Sequence, residues 1–468
     1  MGSLPDRFGL APDRSLLRFA DGTVLTGGHP GRVTTLTVDG AAALDALIAG
    51  GTTTDPAVRE LAGRLVESGM AHPRRPTGVE PGKPVPEVTV VVPVRDRADA
   101  LDRCLTSLGA LHPVVVVDDA SRHPEPVAEV CARHGATLVR RNRNGGPGVA
   151  RNDALDRVES ELVAFVDSDC TVSPGWTDGL TWLFDDPAIG AVAPRVVPTA
   201  QDSHRAVDRF AHAHSPLDLG PDEGEVGPQR AVRYVPTAAL IVRREALVAI
   251  GGFDPGLRIG EDVDLVWRLL DAGWRVRFQP AVTVAHAEPR RWLDVFARRF
   301  RYGTSAAPLA QRHPGRLAPV ELRPWPTIAA MAALAGRPRT AAVAVAISAA
   351  VLTRSVRPLG IPSRQAWTWT AQGAGWTLVG LGRASTMLAG PGLVLLATMG
   401  RRGRRAALSL VLVPPVVEWV RRRPDLDIAR WVAASVADDA AYGAGVWTSC
   451  LKSGTFGPIL PTSGPRPG

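Results

Sequence analysis

The feature that most constrains this chain is an apolar strand that ends in two acids. Leu162–Val166 is a continuous apolar run, and Asp167 and Asp169 follow it one residue apart. Such a run is typical of a buried parallel strand whose carboxyl end opens into a binding crevice. Acids in that position can hold a hard divalent cation together with substrate phosphates. For this motif alone, solvated acids at a strand end remain the alternative.

Strands and helices alternate around this stretch. The sequence predicts strands at residues 88–92, 113–117 and 137–140, helices between them, and a glycine-rich turn at 145–148 before the next helix. This alternation predicts an α/β fold with a mostly parallel, doubly wound sheet. Ligands of such sheets bind beyond the carboxyl ends of the strands. Arg95-Asp96, Asp118-Asp119 and Asp167-Ser168-Asp169 are therefore expected in one crevice.

The rest of the chain is predicted to form further regions. Residues 1–78 read as a small α+β module, winged-helix-like, that is either a peptide-recognition domain or a structural cap. Residues 79–87 form a proline-rich linker, 88–302 the α/β domain, 303–453 an apolar, arginine-rich helical region, and 454–468 a disordered tail.

Charge is distributed unevenly along the chain. The net charge is +8; from Pro319 onward there are 17 Lys and Arg against 6 Asp and Glu, or +11, which leaves −3 for the rest. No apolar stretch there reaches the roughly 20 clean residues of a spanning helix. Short apolar helices with basic flanks predict attachment to an anionic membrane surface from the cytoplasmic side; a helical domain that packs on itself is the alternative. We expect no nucleic-acid partner.

The four cysteines have no paired spacing, which argues against a zinc site or a disulfide framework and fits a reducing cytosol. No signal peptide is visible in the first 30 residues. Together these features predict a cytoplasmic protein.

Four blocks carry a family resemblance: 90–96, 115–121, 142–152 and 165–169. In this order they resemble the inverting glycosyltransferases of family 2, which have a GT-A fold. The resemblance implies a nucleotide-sugar donor, a divalent Mn²⁺ or Mg²⁺, and a general base in the Glu261-Asp262 pair. The base is assigned to Asp262, with Glu261 as the second choice. The alternative is a purely structural role, in which both acids only complement the helix dipole. The implied donor-binding residues are Pro93, Arg95, Asp96, Asp119, Arg151, Asp167 and Ser168, and the implied metal ligands are Asp169, Asp167 and His286.

The layout as a whole resembles the glycosyltransferases of mycofactocin biosynthesis. That resemblance implies transfer of glucose from UDP-glucose to a hydroxyl of a peptide-derived redox-cofactor precursor. Two alternatives remain open: a membrane glycosyltransferase with a lipid or cell-wall acceptor, and a non-catalytic peptide-binding scaffold. The presence of Asp119, Asp167, Asp169 and Asp262 together argues against the scaffold.

Overall fold

A computed structural model describes residues 3–75, 86–199 and 204–462. The chain divides into two compact units, residues 1–200 with 215–287, and residues 201–214 with 288–468. The α/β unit thus ends after Ala287, whereas the sequence predicted an end at residue 302. The difference arises because Trp292 and Val295 pack against Trp431, in the core of the second unit. The predicted linker, 79–87, lies almost entirely outside the described residues.

The N-terminal module is part of the first unit. It contains β1 (Gly9–Pro12), β2 (Leu17–Phe19), β3 (Val24–Gly27), β4 (Arg32–Thr35), α1 (Val38–Ile48), α2 (Pro56–Glu67) and β5 (Ala71–Arg74). β1 pairs with β5, and β2, β3 and β4 form an antiparallel sheet. Asp55 caps α2 by accepting from the backbone N–H of Ala57 at 2.7 Å. Phe8 packs on Trp182 of the α/β fold, with ring centroids 5.6 Å apart.

The α/β fold follows the alternation that the sequence predicts. Its elements are β6 (Val88–Val94), α3 (Ala98–Leu108), β7 (Val114–Asp118), α4 (Glu125–His134), β8 (Thr137–Arg140), α5 (Pro147–Leu155), β9 (Leu162–Val166), β10 (Cys170–Val172), α6 (Asp178–Thr181), β11 (Ile189–Pro198), α7 (Ala206–Ala213), β12 (Gly224–Glu225), β13 (Ala239–Arg243), α8 (Arg244–Ala249), α9 (Glu261–Asp271) and β14 (Arg275–His286). All of them belong to the first unit except α7, which lies in the second.

These strands form one mixed sheet in the order β10-β14-β11-β13-β9-β6-β7-β8, with β12 beside β14. β9, β6, β7 and β8 are parallel, and β13 runs antiparallel between β9 and β11. Helical crossovers link the parallel strands, as such pairing requires. The predicted α/β class and the predominantly parallel block around β9 are confirmed. The carboxyl ends of β9, β6 and β7 therefore lie at one edge.

The core explains the unbroken apolar runs. Every residue of β6 and β9 is buried, as expected for strands covered on both faces. Leu101, Cys104 and Leu105 of α3 face this sheet and are nearly inaccessible to solvent. All four cysteines are buried free thiols.

The second unit is helical. Besides α7 it contains α10 (Trp292–Gly303), α11 (Ala306–Arg312), α12 (Pro324–Leu334), α13 (Pro338–Val356), α14 (Ser363–Leu388), α15 (Gly390–Thr398), α16 (Gly400–Arg422) and α17 (Ile428–Ser453). The prediction of a disordered tail from residue 454 is wrong for the residues up to Thr462. The backbone N–H of Leu322 donates to the Thr462 carbonyl at 2.8 Å. Residues 463–468 lie outside the described part of the chain.

Among the described helices, Pro338–Leu359 has the length and composition of a membrane span, with 22 residues. A second candidate arises only if α14 and α15, which are bent by 105° at their junction, are counted together. Pro338–Leu359 contains Arg339, Arg354 and Arg357, so it does not contradict the prediction that no stretch reaches about 20 clean apolar residues. Pro338 begins this helix instead of breaking one, because proline is tolerated at the first helical position.

Candidate active site

Acidic residues follow three parallel strands at one edge of the sheet. Register explains why: Val94 of β6 pairs with Asp118 of β7, and Val91 of β6 pairs with Phe165 of β9. Asp96, Asp119 and Asp167 each follow the end of one of these strands. The three acids that the sequence predicts for one edge thus follow the ends of neighbouring parallel strands.

Asp119 anchors the glycine-rich turn. One of its carboxylate oxygens accepts from the backbone N–H of Gly145 at 2.9 Å and from Arg141 at 2.7 Å. The other accepts from the backbone N–H of Gly146 at 2.8 Å. Asp119 therefore fixes the loop that enters α5. Gly146 has a φ of +90°, a backbone conformation that favours glycine.

Asp96 lies at the exposed side of the same edge. Its φ is +54°, which is uncommon for a residue with a side chain. The backbone N–H of Asp96 donates to the Ser121 hydroxyl at 2.9 Å, and its carboxylate accepts from the backbone N–H of Arg122 at 2.6 Å. Arg95 is exposed beside it, with 3.8 Å between the Arg95 Nε and a carboxylate oxygen of Asp96. Pro93 is buried within β6.

Asp169 and His286 form a pair next to this edge. β10 and β14 run antiparallel with Cys170 opposite His286, which brings Nε2 of His286 to 3.6 Å from a carboxylate oxygen of Asp169. The other carboxylate oxygen of Asp169 accepts from the exposed guanidinium of Arg97. Ser168 is buried beside them. Within the described ranges, no three His, Cys, Asp or Glu side chains converge as a metal cage.

Arg151 connects Asp167 to the start of α9, where the two candidates for the general base lie. Its side chain is 2% exposed; it donates to Asp167 at 2.6 Å and to Glu261 at 3.1 Å. Its guanidinium also lies 5.3 Å from the ring centre of Phe253. Burial alone would lower the pKa of Arg151, but the charges of Asp167 and Glu261 raise it above the ordinary value. The sequence predicted Arg151 in the nucleoside pocket; the structure shows it as a buried bridge between two carboxylates.

The helix start at Gly260 presents both predicted base candidates. Gly260 has a φ of +83°, and the positive end of the α9 dipole faces Glu261 and Asp262. Glu261 is buried and bound to Arg151, whereas Asp262 is half-buried. Burial, reinforced by the neighbouring Glu261 charge, raises the pKa of Asp262 to about 7. Burial also raises the pKa of Glu261, although Arg151 opposes that rise.

The third acid of this helix has a structural part. Asp264 is fully buried and accepts from Arg268 one turn later at 2.7 Å. Arg268 in turn donates to the carbonyl oxygens of Ile250 and Gly252 at 2.8 and 2.7 Å. This pair fixes the turn that precedes α9. Asp264 thus has a structural role that distinguishes it from Asp262. The sequence alone does not indicate this difference.

Comparison with known proteins places this geometry in a family. Residues 86–305 match the glycosyltransferase-like family 2. Over 479 aligned residues the chain is 36% identical to the pre-mycofactocin glycosyltransferase of Mycobacterium tuberculosis, covering 98% of both chains. The chain belongs to glycosyltransferase family 2. This glycosyltransferase is therefore an enzyme of that family, as the four sequence blocks indicated.

Other relatives match only part of the chain. The glycosyltransferase is 31% identical over 207 residues to a succinoglycan biosynthesis protein of Rhizobium meliloti, covering 41% of this chain and 59% of that protein. A mannosyltransferase from Pyrobaculum calidifontis, solved with GDP-Man and Mn²⁺, is 23% identical. That alignment covers 65% of this chain and 90% of the mannosyltransferase, with a TM-score of 0.38.

Proposed function

We propose that this glycosyltransferase moves glucose from UDP-glucose to a hydroxyl of the mycofactocin precursor, with inversion at the anomeric carbon. The main support is that one buried cation, Arg151, binds both Asp167 and Glu261. It thereby joins the proposed donor site to the two acids at the start of α9, one of which we propose as the general base. The acceptor is inferred from the relative named pre-mycofactocin glycosyltransferase, which aligns over 98% of its length, including the N-terminal module and the helical unit.

The donor set at Asp169 and His286 fits a divalent cation such as Mn²⁺ or Mg²⁺. A carboxylate and an imidazole 3.6 Å apart are suitable ligands for Mn²⁺. Such ions keep sites open for substrate phosphates and water, so two protein ligands are sufficient. A bound cation would offset the charge of the departing diphosphate. We assign Asp167 a supporting part, because Arg151 holds its carboxylate.

We propose Asp262 as the general base. An acceptor hydroxyl is a poor nucleophile until its proton is removed. In the proposed step the acceptor oxygen bonds to the anomeric carbon as the bond from that carbon to the diphosphate oxygen breaks. The hydroxyl proton passes to the Asp262 carboxylate, and attack opposite the leaving group inverts the configuration. A pKa of about 7 suits this exchange near neutral pH. Glu261 is less suitable, because its carboxylate binds Arg151.

For the nucleoside, we propose a pocket between the ends of β6 and β7. Arg95 and Asp96 are exposed there and can contact a base or ribose. Pro93 and Ser168 are buried and would shape the pocket wall. Asp119 would act indirectly, because its carboxylate holds the glycine turn in place through the backbone N–H groups of Gly145 and Gly146.

The test is incubation of the purified enzyme with pre-mycofactocin, UDP-glucose and Mn²⁺, followed by mass spectrometry. We expect products heavier by one or more hexose units, and no product from Asp169→Ala. Wild-type enzyme that adds no hexose, although it binds UDP with Mn²⁺, would refute the proposed acceptor. Wild-type enzyme that binds no UDP would refute the proposed donor site as well.

A second candidate is transfer of the same sugar to a lipid or cell-wall acceptor. The acid-free, arginine-rich stretch between Pro324 and Val417 favours it, because such a surface suits a membrane. A lipid-linked sugar formed with membranes, in the absence of pre-mycofactocin, would decide for this alternative. In either case we propose a cytoplasmic enzyme at the inner face of the cell membrane.

A further inference from the structure

Helices of the second unit expose apolar side chains in regular stripes. On α12, Trp325, Ile328 and Met331 recur at helical spacing and are 39–55% exposed. On α13, Val343, Ile347 and Val351 are spaced four residues apart and are 41–56% exposed. Repeats of this kind define one face of a helix, and such faces are normally buried in a core.

Further apolar side chains are exposed at the junction of α14 and α15. Val394 and Leu395 are about two-thirds exposed, and Met399 follows them with a similar exposure. Trp367, near the start of α14, is about half exposed. In Pro338–Leu359, only 17% of the most apolar stretch is buried within the structure. Proteins in water rarely leave repeated apolar stripes of this kind uncovered.

The charge of the same region has one sign. Between Pro324 and Val417 the chain has ten arginines and no aspartate or glutamate. The exposed arginines at 401, 402, 404 and 405 follow directly after α15. A second copy of this face would meet it with like charge, whereas anionic headgroups would complement it.

The geometry favours helices that lie in the membrane surface over helices that cross it. Between Arg339 and Arg354 of α13 there are only 14 uncharged residues. At roughly 1.5 Å per residue they extend about 21 Å, less than the hydrocarbon thickness of about 30 Å. The 105° bend between α14 and α15 also prevents a straight crossing.

We propose that α12, α13 and the α14–α15 junction form an anchor face that inserts into one leaflet of a membrane containing anionic lipid. The apolar stripes enter the boundary between headgroups and acyl chains, and the arginines contact lipid phosphates. Tryptophans such as Trp325 and Trp367 suit that boundary, because their rings are apolar and their N–H groups remain hydrated. This proposal does not depend on which acceptor the enzyme uses.

The test is flotation of the full-length chain with phosphatidylcholine vesicles, with and without phosphatidylglycerol. We compare the wild type with a triple variant, Trp325→Ser, Ile328→Ser and Met331→Ser, and with a quadruple variant that changes the arginines at 401, 402, 404 and 405 to Gln. The matched control replaces four exposed arginines of the first unit by Gln: Arg64, Arg103, Arg157 and Arg244. Binding of UDP without vesicles, and the melting temperature, report whether each variant folds.

We expect the wild type and the control to float with phosphatidylglycerol vesicles, and high salt to weaken this binding. The quadruple variant should bind at least tenfold more weakly, since each arginine near an anionic surface contributes about fivefold. The triple variant should bind poorly at any salt concentration. No flotation of the wild type would overturn the proposal. Equal binding to both vesicle types, unaffected by the quadruple change, would also overturn it. A dimer that only the triple variant abolishes, without vesicle binding, would assign the face to a second copy.

Discussion

Removing the guanidinium of Arg151 is the sharpest perturbation that the structure offers. Arg151→Met would leave Asp167 and Glu261 beside a buried apolar group with no cation between them. Breaking a buried ion pair in this way costs about 3–5 kcal/mol. For a folded unit of this size each kcal/mol lowers the melting temperature by about 2–4 °C, which gives a loss of roughly 6–20 °C.

The pH dependence of this loss has a defined sign. Burial raises the pKa of Glu261 and Arg151 opposes that rise, so the variant raises the pKa of Glu261 further. A carboxyl group whose pKa is higher in the folded than in the unfolded protein stabilises the fold when protonated, and that stability is lost as pH rises through the folded pKa. The destabilisation should therefore be largest above the folded pKa of Glu261 and should diminish on acidification.

The assay is thermal unfolding followed by circular dichroism over a pH series. Arg157→Met is the matched control, because Arg157 lies just beyond the same helix and is exposed. It should melt close to the wild type. If Arg151→Met also melted within about 2 °C of the wild type at every pH, the buried bridge would not exist in solution.

Three further outcomes follow from the site. Because Asp262 must be deprotonated to accept a proton and its pKa is about 7, the initial rate of transfer should rise with pH up to about 7 and then level off; a flat rate profile would contradict this. Asp169→Ala should weaken Mn²⁺-dependent UDP binding in calorimetry by more than the roughly 10–100-fold that outer-shell changes cause; unchanged affinity would remove Asp169 from the metal site. Gly148→Ala should lower the free energy of unfolding, measured in urea, by about 1–3 kcal/mol, because its Cβ would lie 3.3 Å from side-chain atoms of Glu261 and Phe253. Gly373→Ala, with open space around it, is the control. Equal stability of both variants would contradict tight packing at Gly148.

Local patterns were sufficient to predict the sheet and its edge. Leu162–Val166 is apolar over the length of one strand, and its burial on both faces follows from that run. The acids that follow a strand are fixed in space by the strand itself. For the same reason Asp96, Asp119 and Asp167 could be assigned to one edge before any coordinates were known.

Contacts between distant segments could not be predicted in this way. Arg151 and Glu261 are 110 residues apart, and nothing in a single sequence indicates that they pair. Arg97, which binds Asp169, was missed because an exposed arginine beside a strand end has no distinguishing pattern. Arg97 could have been suggested by asking which arginine near a strand end, such as those among residues 95–97, can pair with the acids at the end of the neighbouring strand.

The packing of the segment after the sheet could not be predicted for a related reason. The segment from Arg290 to Tyr302 is amphipathic, and amphipathicity alone does not identify the surface that its apolar face covers. Its partners include Trp431, far along the chain. Arg299 of the same helix pairs with Asp438 at 2.8 Å, again across a long separation in sequence. These contacts assign the helix to the second unit.

Single-turnover transfer by Asp262→Asn, compared with Glu261→Gln, tests the central claim most directly. With UDP-glucose, Mn²⁺ and pre-mycofactocin pre-bound, we expect Asp262→Asn to bind UDP normally and to lose transfer by roughly 10²–10⁴-fold, the usual worth of a general base. Glu261→Gln should retain much more activity, because in our account Glu261 binds Arg151 and does not accept the hydroxyl proton. Transfer at nearly the wild-type rate by Asp262→Asn would contradict the account.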